Sequence, residues 1–206
     1  EKKVAILGMG CVGAPSALEF AKTGIREIRL LDGDYVDAGT TVRWPFGIST
    51  SGQSKVEVIA NFIKSNYPYT HVVPIIHTVG SSFYPKDGMY DDYEAMEKLL
   101  EGVDLVYDAS AELGLMNLIS DLAAEMNIPY LRVSTNWGAW GGIVARIVPG
   151  KDACYACLTF ALNEDCPAEY RIDPPYPNEK GFFQPTGCAN PTFTGASFDV
   201  NIIAMT

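Results

Sequence analysis

Val4-Ala5-Ile6-Leu7-Gly8-Met9-Gly10-Cys11-Val12-Gly13 is the stretch that decides the fold of this 206-residue chain. A short apolar run leads straight into G-x-G-x-x-G. Ala14 to Thr23 then carry Leu18 and Phe20 among small residues at helical spacing. The glycines are therefore expected at a strand-to-helix turn, the context that makes this pattern informative. Glycine allows the backbone to turn tightly, and it lets phosphate oxygens approach bare N–H groups where the helix dipole favours negative charge. The expected ligand is a nucleotide.

Working outward, Glu27-Ile28-Arg29-Leu30-Leu31-Asp32-Gly33-Asp34 reads as a second strand ending in two carboxylates, with Asp32 19 residues after Gly13. An acid at that spacing suits the ribose hydroxyls of a bound nucleotide. Arg43 follows within Thr40-Thr41-Val42-Arg43-Trp44, and Lys55 closes Gly52-Gln53-Ser54-Lys55 at the start of another helix. Two cations after the ribose acid fit a triphosphate whose departing pyrophosphate needs neutralising. A nicotinamide dehydrogenase has little use for them there.

With these residues in view, the chain resembles the ThiF/MoeB family, which includes the ubiquitin-activating enzymes and their bacterial relatives. The resemblance rests on G-x-G-x-x-G at Gly8 to Gly13, D-x-D-x-V at Asp32 to Val36, Arg43, and G-x-x-K at Gly52 to Lys55. Further along, Asp104-Leu105-Val106-Tyr107-Asp108, the pair Cys154-x-x-Cys157 and Gly187-Cys188 fall in family order. The resemblance implies ATP binding and adenylation of the C-terminal glycine of a ubiquitin-like or sulfur-carrier-type protein. By that resemblance Gly8, Gly10 and Gly13 admit the nucleotide, and Asp32 holds the ribose. Asp34 lies beside the sugar or orients Arg43, Arg43 and Lys55 stabilise charge at the phosphates, and Cys188 captures the activated tail as a thioester. It also implies magnesium, a homodimer or pseudo-dimer, and a conjugating-enzyme-like domain elsewhere in a longer protein.

One departure stands out. The family's turn after the fourth strand supplies a magnesium-binding aspartate, and with Asp108 aligned to the acid ending that strand its position is Ala111 here. Either Asp108 or Glu112 substitutes from a neighbouring position, or the chain binds ATP and catalyses poorly.

Alternating strand and helix signals predict a doubly wound, Rossmann-like α/β fold with a mostly parallel sheet and helices on both faces. Strands are expected at 3–7, 27–31, 71–77, 104–107, 129–133 and 142–147, and helices at 12–23, 54–65, 90–101 and 113–126. Pro74 removes a ladder donor, which puts the third strand at an edge or at a bulge. Residues 1–150 read as the nucleotide-binding core, 151–191 as a cysteine- and proline-rich crossover excursion, and 192–206 as the start of a helix, all within one domain. The chain opens on Glu1-Lys2-Lys3 directly before a strand and stops inside a helical stretch, so a fragment cut at both ends is expected.

Cys154 and Cys157 have the spacing of half a tetrahedral zinc site. A metal-free packed pair and a redox pair are the alternatives. Cys188, ahead of the apolar stretch 193–205, sits where a helix dipole would favour a thiolate. Cys166 is flanked by acids and is the weaker nucleophile; Cys11 is expected to pack. His71 and His77 carry no expected role, and Trp137 and Trp140 lie in a loop that either walls the tail entrance or packs the domain edge. Five cysteines without a small-domain disulfide pattern suit a reducing cytoplasm. A net charge of −10 speaks against nucleic acid as partner, and no apolar run is long enough to span a membrane. Three rivals remain: an ATP-using enzyme acting on a small molecule or an RNA nucleoside, a nicotinamide oxidoreductase, and a catalytically silent binding partner.

Overall fold

A computed structural model describes residues 1–81, 90–135, 139, 141–163, 165–172 and 195–206. The first strand, β1 (Lys3–Leu7), is flanked by β2 (Glu27–Leu31) and β4 (Leu105–Asp108), both parallel to it. Beyond them lie β3 (His71–Ile75), β5 (Tyr130–Thr135) and β6 (Gly142–Ile147), giving the order β3-β2-β1-β4-β5-β6. Five strands run parallel, and β6 pairs antiparallel with β5. The fold is α/β and Rossmann-like, with the strand order reversing between β1 and β4. That reversal opens a crevice at the carboxyl ends of the two strands, where such sheets take their ligands.

Period-two alternation within β1 divides the apolar residues between two faces. Val4 and Ile6 join the cluster built on α1 (Gly13–Lys22), α2 (Lys55–Asn66) and α6 (Ser197–Ala204). Ala5 and Leu7 join the cluster on α3 (Asp92–Leu100), α4 (Leu113–Glu125) and α5 (Tyr155–Ala161). Leu99, Ile119 and Tyr155 are buried there. At about 1.5–3 kcal/mol per fully buried large apolar side chain, these two layers carry the sheet.

The edge expected from Pro74 is found: among the described residues β3 pairs with β2 alone, in register Leu30↔Pro74. The strand is shorter than expected and stops at Ile75, because His77 leaves the sheet to meet Asp92 at 2.5 Å at the start of α3. Asp91 and Glu94 form a reciprocal capping box there, satisfying two backbone donors. Arg29 reaches across from β2 to the carbonyl of Lys98 at 2.7 Å, occupying an acceptor at the other end of α3.

The stretch after Pro149 departs from expectation. It holds a short helix, α5, which buries Tyr155 against α4. Seven residues without a side-chain cap give little periodic signal. Gly187, Cys188, Trp137 and Trp140 lie outside the described residues. Among the described residues no helix is long and apolar enough to cross a membrane.

Candidate functional site

The three glycines of the first turn do different work. Gly8 has φ +82°, and a Cβ there would stand 2.7 Å from the Ala109 carbonyl oxygen; at Gly13 it would stand 1.8 Å from the Gly8 carbonyl oxygen. Gly8 is demanded by packing against the turn that follows β4, and Gly13 by the close return of the loop on the Gly8 carbonyl. At Gly10 a Cβ would meet nothing within 4 Å. The fold does not need a glycine at that position, and the space in front of it opens on the crevice. The first turn of α1 follows with no side-chain cap and no acidic residue; its Ala14 N–H donates to the Gly10 carbonyl at 3.1 Å, and Pro15 carries no N–H.

Asp32 sits one residue past β2 and braces the turn. One carboxylate oxygen accepts the Met9 N–H at 2.6 Å and the other accepts the Asp34 N–H at 2.7 Å. Burial pushes its carboxyl above the ordinary aspartate range, against the opposing pull of the Lys55 ammonium and the two backbone donors. Each oxygen keeps a lone pair for a ligand hydroxyl.

Lys55 is buried at the first position of α2, the positive end of the helix dipole, where a cation is disfavoured. Asp34 offsets this, accepting the Lys55 ammonium at 2.7 Å. A short antiparallel ladder fixes the pair: Val36 N–H donates to Gln53, Gly52 N–H to Val36, and Lys55 N–H to the Asp34 carbonyl. Asp34 thus orients Lys55, whereas the expectation had it beside the sugar or directed at Arg43.

Arg43 is half-buried, its N–H bonded to the Thr40 carbonyl at 3.0 Å. The next residue, Trp44, donates its indole N–H to the Met9 carbonyl at 2.8 Å, which carries the Arg43 segment to the glycine turn. This contact spans 35 residues and had no signal in sequence beyond an isolated aromatic in a loop.

On the other wall, Asp108 is 1% exposed. Its oxygens accept the Tyr130 hydroxyl at 2.7 Å and the Ser110 N–H at 2.9 Å; burial first, and the neighbouring carboxylate with it, push the Tyr130 phenol well above its usual value. Ala111, next in the turn, has φ +57°, a left-handed conformation uncommon for alanine. Glu112 is exposed and caps α4. A magnesium ion needs carboxylate oxygens facing solvent and phosphate. Asp108, enclosed and engaged at both oxygens, does not offer them.

Cys154 and Cys157 are both exposed, with sulfurs 3.6 Å apart. Two vertices of a zinc tetrahedron with bonds of roughly 2.3 Å lie about 3.8 Å apart, so the pair fits half of such a site. Among the described residues no group of three or more potential ligands gathers. Cys11 and Cys166 are buried.

Comparison with known proteins agrees with this fold. The model of the ThiF family matches residues 1–186. The uncharacterized protein y4qC of Sinorhizobium fredii is 33% identical over 210 residues, covering 99% of this chain. Ubiquitin-like modifier-activating enzyme 5 of Gallus gallus is 27% identical over 167 residues, covering 79% of this chain and 42% of that protein. The crystal structure of E. coli MccB with ATP matches with a TM-score of 0.70 at 21% identity, covering all of this chain and 53% of that one, a likeness of fold. The chain spans 35% of the length of its rhizobial relative. With a family match running from the first strand through most of the sequence, the chain belongs to the ThiF family.

Proposed function

We propose that this chain binds ATP in the crevice between β1 and β4 and adenylates the C-terminal carboxylate of a ubiquitin-like protein. The observation that carries the reading is the convergence of Gly10, Asp32 and the Asp34–Lys55 pair at one end of the sheet. An open glycine backbone, a ribose acceptor and a buried cation suit a nucleoside polyphosphate. A carboxylate oxygen of the tail attacks the α-phosphorus, the bond to the bridging oxygen breaks, and pyrophosphate leaves with the electron pair. Lys55 and Arg43 stabilise the charge that develops on the phosphates, a matter of positioning and electrostatics rather than proton transfer. Asp108 holds the turn that packs on Gly8. The Cys188 thiolate attacks the acyl carbon of the adenylate, the C–O bond to the phosphate breaks, and AMP leaves with the electron pair as the thioester forms. MccB has been solved with ATP and with MccA, and the similarity to ubiquitin-like modifier-activating enzyme 5 favours a protein tail as the group activated here.

ATP–pyrophosphate exchange with candidate ubiquitin-like tails tests this directly. Exchange is expected with wild type and should fall about 100-fold in Lys55→Ala, in the range of lost transition-state electrostatics. No exchange with any tail, alongside intact ATP binding, would support a second reading in which the chain binds nucleotide without adenylation. Ala111 and the enclosed Asp108 favour that reading. Cys154 and Cys157 are proposed as half of a structural zinc site. Metal analysis of the full-length protein should find zinc, and its removal should expose both thiols to alkylation while Cys11 and Cys166 stay protected.

A further inference from the structure

We propose that Trp44 is a positioning residue that aims the Gly10 N–H at a phosphate oxygen of the bound nucleotide. The proposal rests on the nucleotide reading above and adds the device that presets the loop. The Met9–Gly10 peptide is planar and trans, so its carbonyl and its N–H point in opposite directions. The Trp44 indole holds that carbonyl at 2.8 Å, and the N–H is thereby turned away from the indole. The preceding peptide is held independently through the Met9 N–H on Asp32 at 2.6 Å. Glycine at position 10 would otherwise let the second peptide rotate, because no Cβ restricts it.

Trp44 is itself firmly seated. It is 6% exposed, its ring lies 5.5 Å from Phe46 at 67°, and Phe46 lies 4.9 Å from Phe62 on α2. The indole is thus rooted on the helix that begins with Lys55. The hydrogen bond sets a donor, and the aromatic chain ties that donor to the cation on the same phosphates. Removing the indole N–H leaves the Met9 carbonyl buried without a partner, or frees the peptide to turn and carry the Gly10 N–H out of reach.

Replacing Trp44 by benzothienylalanine exchanges the N–H for sulfur and keeps the ring, and Trp44→Phe serves as the genetically simple counterpart. Calorimetry on the full-length protein would compare ATP with adenosine, which lacks phosphates. The expected result is a five- to tenfold weaker affinity for ATP with adenosine affinity unchanged, and an unaltered far-ultraviolet circular dichroism spectrum for the benzothienyl protein. Equal losses for ATP and adenosine, or no loss for ATP, would overturn the role of Trp44 while leaving the nucleotide site intact. Failure of the wild type to bind ATP at all would sink the nucleotide reading and this proposal with it.

Discussion

Asp32 and Asp108 stand at the carboxyl ends of the two strands that flank β1, yet their surroundings oppose each other. Asp32 is half-buried at the crevice, met by two backbone N–H groups and the field of Lys55. Asp108 is enclosed, met by a core phenol and one N–H of its own turn. Each carboxylate accepts one bond per oxygen, but Asp32 is partly open to a ligand whereas Asp108 is closed off from one. Sequence position alone makes them look alike. What separates them is what each meets: the glycine turn at Met9 for Asp32, and Tyr130 of β5 for Asp108.

The sharpest way to break this contrast is through the glycines that join the two walls. Gly13→Ala drives a methyl into the Gly8 carbonyl, and we expect a loss of more than about 4 kcal/mol and little folded protein. Gly10→Ala, facing open space, should fold normally, with melting shifted by no more than about 2 °C. Its affinity for ATP should fall at least tenfold because the methyl occupies the approach to the backbone. Equal instability of both variants would refute the division of labour between the glycines.

Next in size is the exchange of roles between the aspartates. Asp108→Ala leaves the Tyr130 hydroxyl buried without its acceptor and should cost about 1–3 kcal/mol in denaturant unfolding. Adding Tyr130→Phe should recover part of that loss, since both partners are then removed. Asp32→Ala should instead show its main effect on ribonucleotide affinity, weakening ATP more than 2′-deoxy-ATP. A variant at Asp108 that discriminated between those two nucleotides would undo the assignment.

The smallest expected effect is in pH. Burial raises the Asp32 carboxyl in the folded state. A raised carboxyl contributes its stability in full below the unfolded value near 3.9, and that contribution is lost as pH rises through the folded value. Relative to Asp32→Asn, the wild type should therefore lose stability as pH rises from the unfolded value through the raised folded one. A gain over the same window would show that Lys55 and the backbone donors outweigh burial, making Asp32 a stabilising anion at neutral pH.

Much of the fold could be read from pattern because the causes are local. Val4 to Leu7 and Leu105 to Tyr107 are apolar runs between turn signals, Ile28 to Leu31 is apolar but for Arg29, and each is a strand beside its neighbour in the sheet. Ser54 ahead of Lys55, and the periodic apolar residues of 113–125, marked helices for the same reason. α5 escaped because its seven residues bury one large side chain, and tertiary packing rather than propensity holds it. His77 looked partnerless because Asp92 reaches it across the connection between β3 and α3.

The chain by itself determined the alternation of strands and helices, the glycine turn and the presence of two carboxylates and two cations after β2. These are properties of residue type and spacing, and spacing along one strand or helix fixes direction. Only the tertiary structure decided that Asp34 serves Lys55, that Asp108 faces Tyr130, that Gly10 alone of the three glycines stands open, and that Trp44 grips Met9. Each of those facts joins residues from different elements. Such contacts depend on how strands pair and helices dock, and no local periodicity encodes them.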